Sequence, residues 1–232
     1  AAANYLKPGF TLPTGHKARV LVLYPDLFVG SLNSKGEHIL NPQWTAAAQD
    51  NVRWALATGP VGKAVDLQFM TADEAAGSLV LADAREAFKW RATDIIMQAP
   101  QGTFPLPEGQ TKYKKARNQS YSIGPSLLAR IRAIHGKSDF VLFIAMHDAY
   151  ATAGQKLSSI LGATATGMTA PRGTLVMRDL PPHHGNAMLV DLRDGSIVWM
   201  HGDGAFGGDP REKDGVVERM GQAFDRFPGT RP

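Results

Sequence analysis

A hairpin pattern in the last third of the chain limits its possible folds more than any other feature. Two apolar runs, 186–193 and 196–202, flank the dipeptide Asp194-Gly195, whose residues tolerate the positive φ angles of a type I′ turn. Both faces of the resulting ribbon are largely apolar, so we expect it to lie inside a sheet that is covered on both sides. A two-residue turn at this dipeptide predicts three pairs on one face: Leu192 with Ile197, Val190 with Trp199, and Met188 with His201.

Three further segments have the composition of strands. The first, 19–24, is apolar on both faces and is ended by Pro25-Asp26. Val65 to Met70 alternates apolar and polar residues, as a half-buried strand does. The segment 139–146 is the most apolar run of the chain and is predicted to be the innermost strand.

Helices are predicted between these strands and after the hairpin. Asn41-Pro42 supplies an N-cap and a first-turn proline for a helix that ends at Gly59. Thr71 caps a long Ala-rich helix that reaches about Gln98. A further helix has an apolar stripe formed by Leu127, Leu128, Ile131 and Ile134.

The closing helix has clear start and stop signals. Asp209 and Pro210 are expected at its N-cap and first position, with Glu212 completing a capping box, and Pro228 ends it. Its buried stripe is predicted to be Val216, Val217, Met220, Phe224 and Phe227.

This order of elements predicts an α/β (α+β) fold with a mixed central sheet covered by helices, a C-terminal β-hairpin and a closing helix. A single domain is expected over 18–228, preceded by a Gly- and Pro-containing tether over 1–17. Irregular loops are expected at 27–40, at 99–119, which reads as an insertion, and at 163–185. Periodicity does not decide the structure of 151–182.

Composition excludes several chemistries. The chain has no cysteine, which removes disulfides, thiolate-bound metals, iron–sulfur clusters and a thiol nucleophile. No apolar run approaches the length of a membrane-spanning helix. The sequence also lacks G-x-S-x-G, Walker A, H-E-x-x-H and strand-linked G-x-G-x-x-G motifs. No catalytic residue and no cofactor is therefore assigned.

The positive charge is concentrated in one segment. Without the seven cations that lie between Glu108 and Asp139, the remaining chain has 18 basic and 21 acidic residues. The segment 112–137 is a candidate surface for an anionic lipid, glycan or nucleic acid, and the simpler alternative is a solvated helix face. Because no nucleic-acid motif is present, nucleic acid is not the expected partner. The candidate anion-binding residues are Lys112, Lys114, Lys115, Arg117, Arg130 and Arg132.

Two histidine-containing clusters are candidates for chemistry. If the predicted register places His201 near His184, these imidazoles and Asp203 would form a nitrogen and oxygen metal site. The alternative is that they belong to a loop and a strand end, with no metal. His147-Asp148, at the end of the innermost strand, is the second candidate, because ligand crevices lie at strand ends in α/β sheets. The alternative to a ligand site is that His147 and Asp148 are polar only because the strand leaves the core at this point.

The strands RVLVLYPD and SDFVLFIAMHDAY, and above all the hairpin NAMLVDLRDGSIVWMHGDG, resemble a family of uncharacterised proteobacterial envelope lipoproteins. More distantly, the layout is similar to the periplasmic domain of the curli-secretion lipoprotein CsgG and to the TolB amino-terminal domain. The matching residues are structural. Asp191, Asp194, Gly195 and Trp199 are expected to shape the hairpin and to perform no chemistry.

This resemblance implies a non-catalytic lipoprotein domain of the bacterial outer membrane, facing the periplasm or the cell surface. Such a domain would bind other envelope proteins or copies of itself, and a lipid anchor ahead of Ala1 would hold it at the membrane. One alternative is a metal-dependent hydrolase that uses His184, His201 and Asp203. The other is a domain that binds an anionic polymer or nucleic acid through the segment 112–137.

Overall fold

A computed structural model describes residues 2–33, 36–98, 121–134, 136–151 and 182–230. Within them, one eight-stranded mixed sheet and six helices confirm the predicted α/β (α+β) fold, with its C-terminal hairpin and closing helix. The predicted insertion at 99–119 and the segment 152–181 lie outside the described residues. No helix in these ranges combines the length and apolarity needed to cross a membrane.

The sheet has the order β1-β8-β7-β6-β2-β5, and β3 lies between β6 and β4. β2 and β3 run parallel to β6, and β5 runs parallel to β2, whereas β1, β8 and β7 form antiparallel pairs that end against β6. The strands are β1 (Ala2–Leu6), β2 (Arg19–Val22), β3 (Asp26–Leu32), β4 (His38–Leu40), β5 (Asp66–Phe69), β6 (Phe140–Ala151), β7 (His183–Asp191) and β8 (Ile197–Asp203).

The helices follow the predicted caps closely. The Asn41 side chain accepts a hydrogen bond from the Trp44 amide at the start of the first helix, and Thr71 forms a capping box with Glu74. The long Ala-rich helix is broken into two between Ala75 and Leu79. The helices are α1 (Pro42–Thr58), α2 (Pro60–Ala64), α3 (Ala72–Ala75), α4 (Leu79–Gln98), α5 (Pro125–Ile134) and α6 (Lys213–Ala223).

β6 lies between two hydrophobic cores, one on each face of the sheet. Its side chains alternate between the faces, as those of a strand must. Val141 and Phe143 belong to the core beneath α4 and α5, whereas Phe140 and Leu142 belong to the core beneath α1 and α6. The prediction that this strand is the innermost one is therefore confirmed, and it extends five residues beyond the predicted end at Met146.

The hairpin is present, but its predicted register is wrong by two residues next to the turn and by one residue beyond a bulge. Asp191 donates its amide to the Ser196 carbonyl, so four residues form the loop instead of two. The side chains of Asp191 and Asp194 accept hydrogen bonds from the amides two residues further on, and Gly195 has a φ of 76°. These local bonds stabilise the longer loop. A bulge follows, and the observed pairs are Val190 with Ile197, Leu189 with Trp199, Met188 with Met200 and Ala187 with His201.

The predicted tether at the N-terminus is also wrong. Residues 2–6 form β1, which pairs along its whole length with β8 at one end of the sheet. Tyr5 is 1% exposed and packs edge-on against Tyr121, with ring centroids 5.1 Å apart. The Gly- and Pro-containing composition that suggested a tether belongs to the connection after this strand.

Three other local predictions need correction. The segment 27–40 is mostly β-structure and not an irregular loop, because β3 and β4 form an antiparallel pair within it. The closing helix begins at Lys213, with Glu212 as its N-cap. Asp209 instead holds a turn by accepting the Arg211 amide. Val217 is exposed, although it was predicted in the buried stripe.

The packing of β1 leads to a stability prediction. We expect Tyr5→Ala to lower the free energy of unfolding by about 3 kcal/mol, because it removes a buried aromatic ring and leaves a cavity. The control Thr14→Ala, in the exposed connection between β1 and β2, is expected to change it by less than about 0.5 kcal/mol. Urea denaturation measures both. Equal effects of the two substitutions would contradict the packed position of β1.

Candidate functional site

The candidate site lies at the end of the sheet where β3, β6 and β7 run side by side. His147 of β6 pairs with Phe28 on one side and with His184 on the other, and Asp148 pairs with Val29 and His183. Successive side chains of a strand point to opposite faces. His147 therefore lies on the α4 face and Asp148 on the α6 face, so these neighbours in sequence belong to two separate sites.

On the α6 face, Asp148 and Arg219 form a fully buried ion pair, and each side chain is 0% exposed. Arg219 donates two hydrogen bonds to the Asp148 carboxylate, at 2.8 and 3.0 Å, and others to the carbonyls of Gly207 and Gly208. The His183 Nδ1 atom lies 2.9 Å from the same carboxylate. Both carboxylate oxygens therefore have partners, as a buried charge requires.

A second ionic contact on this face joins the loop before α6 to α1. The Arg211 guanidinium donates from two of its nitrogens to the two oxygens of the Asp209 carboxylate. It also lies over the rings of Trp44 and Tyr150. The Tyr150 hydroxyl donates to Asp209 at 3.1 Å. Burial raises the pKa of Asp209, but the hydrogen bonds from Arg211 and Tyr150 outweigh it and leave that pKa below its usual value. The pKa of Tyr150 is raised by burial and by the nearby carboxylates.

On the α4 face, three imidazoles and a phenyl ring form a contiguous cluster. The His147 ring stacks on Phe28 with centroids 4.2 Å apart, and on His184 at 4.9 Å. The His38 Nδ1 atom of β4 lies 2.6 Å from the His147 Nε2 atom. Burial, together with the positive charge that His184 and His38 can carry, lowers the pKa of His147 to about 4. His147 is therefore neutral at pH 7.

A cavity of about 290 Å³ opens beside this cluster. Phe143 contributes apolar surface to it, and Asp26 and Lys89 contribute opposite charges. A larger groove of about 450 Å³ between α1 and α6 is mainly apolar, with Met220 and Phe224 among its lining residues. His147 and His184 at the strand ends thus line the smaller cavity, and neither lines the larger groove.

The predicted metal ligands do not converge. His201 pairs with Ala187 and Asp203 with Gly185, which places both on the α6 face, whereas His184 points to the α4 face. The one-residue error in register accounts for this difference. Buried His201 instead contacts the Asn4 side chain of β1 through Nδ1, and its pKa is lowered by burial. Within the described ranges, no group of three or more acidic or histidine side chains has a geometry that could hold a metal ion.

The basic segment is described only in part. Arg130 forms an ion pair with Asp83, and Arg132 donates hydrogen bonds to the carbonyls of Leu192 and Arg193. Both arginines therefore make contacts inside the domain. The other four candidates, Lys112, Lys114, Lys115 and Arg117, lie outside the described residues.

The predicted hairpin residues have the expected structural setting. Asp191 also binds the Arg193 guanidinium, and Trp199 is buried against Phe224 and Phe227. The Trp199 indole donates to the Asp225 carbonyl at 3.3 Å. Two site residues were missed by the sequence analysis. Arg219 could have been suspected, because it interrupts the apolar stripe of the closing helix. His38 lies in a segment read as a loop and gave no signal.

No protein-family model and no curated protein matches this chain. Among solved structures, it is similar to the PelC dodecamer from Paraburkholderia phytofirmans in two crystal forms, at 10% sequence identity and a TM-score of 0.33 in each. The matches cover 96% of this chain and 98% or 97% of the PelC chain. A TM-score of this size supports no conclusion about the function of this chain.

The buried ion pair leads to a prediction for stability. We expect Arg219→Met to lower the free energy of unfolding by about 3–5 kcal/mol, because Asp148 would lose its main partner while it stays buried. The double variant Asp148→Leu/Arg219→Met should recover much of that loss, since no buried charge remains. Chemical denaturation measures both variants.

The matched control for that experiment is Arg226→Met. Arg226 pairs with Asp225 at 3.6 Å, and both side chains are about half exposed. Its loss is expected to cost less than about 1 kcal/mol. If Arg219→Met were as mild as this control, the ion pair would not be the main link between β6 and α6.

The low pKa of His147 leads to a prediction for pH dependence. Between the ordinary histidine pKa of 6.5 and the folded value of about 4, the unfolded chain binds more protons at this residue than the folded chain. Its contribution to stability is therefore full above pH 6.5 and is lost as the pH falls towards 4. Because the ring is only half buried, we expect about 1–2 kcal/mol.

Urea denaturation at pH 7.5 and 4.5 measures this loss. The variant His147→Gln should lose less stability between these two pH values than the parent protein. His16→Gln, at an exposed position in the connection after β1, should behave as the parent does. A pH dependence that is the same in all three proteins would rule out His147 as its source.

Proposed function

We propose that this chain is a non-catalytic assembly domain of the bacterial cell envelope, carried by an outer-membrane lipoprotein and joined to copies of itself through the edges of its sheet. The resemblance of its strand and hairpin motifs to envelope lipoproteins supports the compartment. The open edges of its sheet support the assembly role, and the bonded state of its buried carboxylates supports the absence of catalysis.

The observation that carries the proposal is that the described sheet has open edges, at β1 and β5 along its main order and at β4 beside β3. β1 pairs only with β8, and β4 pairs only with β3, so each presents an unpaired row of backbone donors and acceptors among the described residues. Ile39 and Leu40 of β4 are 51% and 50% exposed, and the strand contains no acidic residue, lysine, arginine or proline. Proteins that stay monomeric usually protect such edges with charges, with proline or by keeping the strand short, and of these β4 has only its short length.

β1 and β4 are different strands, so contact between them would be head-to-tail. An interface of this type joins β1 of one copy to β4 of the next, and in a pair of copies it leaves one of these two edges free on each. Such contacts form a ring when the rotation closes and a filament when it does not. Backbone hydrogen bonds supply the affinity in pairing of this kind.

The charged groups at the strand ends argue against an acid–base catalyst. A catalytic carboxylate must be able to exchange a proton with a substrate within hydrogen-bond reach. Asp148 is fully buried and bonded at both oxygens, and Asp209 is held by Arg211 and Tyr150. These carboxylates hold the fold together, which is what a binding or assembly domain requires of them.

Sedimentation velocity tests the assembly edge. We expect the protein at pH 7.5 to associate as its concentration rises from about 1 to 100 µM, and Leu40→Lys to weaken that association at least tenfold, because a lysine on an edge strand opposes pairing. The matched control is Leu79→Lys on α4, where the parent leucine is 77% exposed. A protein that stays monomeric over this range, or two lysine variants with equal effects, would refute the role of β4.

Cell fractionation of the full-length precursor tests the compartment separately. We expect the protein to sediment with outer membranes and to be released by detergent. Its recovery from the soluble cytosol would refute the envelope assignment while leaving the edge interaction open to the sedimentation experiment.

A further inference from the structure

Four of the seven histidines of the chain lie together at the edge of the sheet that carries β4. His38 of β4 contacts His147 of β6, which stacks on His184 of β7, and His183 precedes His184 on the same strand. The first three lie on the α4 face, whereas His183 faces Asp148 on the other. A row of imidazole side chains thus connects the exposed edge strand to the centre of the sheet.

The hydrogen bond between His38 and His147 depends on how many protons the two rings carry together. At 2.6 Å, one of the two nitrogens must carry the proton and the other must accept it. This arrangement is possible when both rings are neutral and when one is protonated. When both are protonated, two donors face each other with like charges, and the hydrogen bond is lost.

The surroundings do little to neutralise such a charge. Asp148, the nearest residue in sequence, already binds Arg219. Glu37, next to His38, is hydrogen bonded to Asn33. The groups that face the cluster from β3, α4 and β7 are Asp26, Lys89 and His184, so a single carboxylate meets several positive or protonatable side chains there.

β4 has few other attachments. It spans three residues, pairs with β3 alone among the strands that the structure describes, and its other two side chains are half exposed. Gly30 makes the pairing possible, because a Cβ at that position would lie 2.0 Å from the Ile39 carbonyl oxygen. His38 is therefore the side chain that ties this edge strand to β6.

We propose that the His38–His147 pair is an acid-sensitive latch that holds β4 on the sheet and releases it when both rings are protonated. Release would remove the edge at which copies associate, so assembly would be lost at acid pH. This second consequence rests on the proposed function, whereas the latch itself does not.

A spin label on β4 tests the latch directly. The chain has no cysteine, so Leu40→Cys supplies a single attachment site for a nitroxide on β4. We expect the electron paramagnetic resonance spectrum to sharpen as the pH falls from about 6.5 to about 4, while far-ultraviolet circular dichroism stays unchanged. An unchanged spectrum over this range in the folded protein would overturn the latch.

Three variants in the labelled background make the result specific. His38→Gln should abolish the pH dependence, because glutamine does not titrate. Gly30→Ala should give the sharp spectrum at every pH, because the added Cβ displaces β4. His16→Gln, an exposed histidine outside the cluster, should titrate like the parent protein. A transition that persists in His38→Gln would place its origin elsewhere and overturn the proposal.

Sedimentation velocity of the unlabelled protein then connects the latch to assembly. Between pH 7.5 and 3.5 we expect a rise of about fourfold in the dissociation constant, because the competent fraction falls as His147 is protonated, and His38→Gln should show no such rise. Absence of association at pH 7.5 would refute the proposed function and leave the spin-label result standing. Association that is equally strong at both pH values would refute control of assembly by the latch.

Discussion

The ion pair between Asp148 and Arg219 is the interaction on which the arrangement of this domain depends. It links the innermost strand, β6, to the closing helix, α6, in a position that water does not reach. The arginine also binds the carbonyls of Gly207 and Gly208, so the loop before the helix is held by the same side chain. A buried pair of this kind adds little net stability, but the loss of either partner is costly. The pair therefore specifies where α6 docks more than it strengthens the fold.

The alternation of side chains along β6 separates two kinds of chemistry. Asp148 and Tyr150 face α1 and α6, where the carboxylates of Asp148 and Asp209 both have bonded partners. His147 faces α4 and contacts the imidazoles of His38 and His184. One face of the strand thus holds the domain together, and the other carries the histidine cluster that reaches the edge strand.

Most elements of the fold were predicted from local patterns, and the errors have a common origin. The caps at Asn41 and Thr71 were identified correctly because they depend on a few neighbouring residues. The hairpin was found but mispaired, since the Asp191 and Asp194 side chains favour a four-residue loop over the two-residue turn. That single residue of register decided the candidate site, because it separated His184 from His201 and Asp203.

The sequence by itself determined most of the longer helices and strands, that β6 is central, and that the hairpin lies in a covered sheet, because these properties follow from apolar spacing and local capping. The tertiary structure alone decided that residues 2–6 pair with β8, that Arg219 meets Asp148 and that His38 meets His147. These contacts join residues far apart in the chain, and their pairing is chosen by packing and by the register of the whole sheet. No short stretch of sequence contains that information.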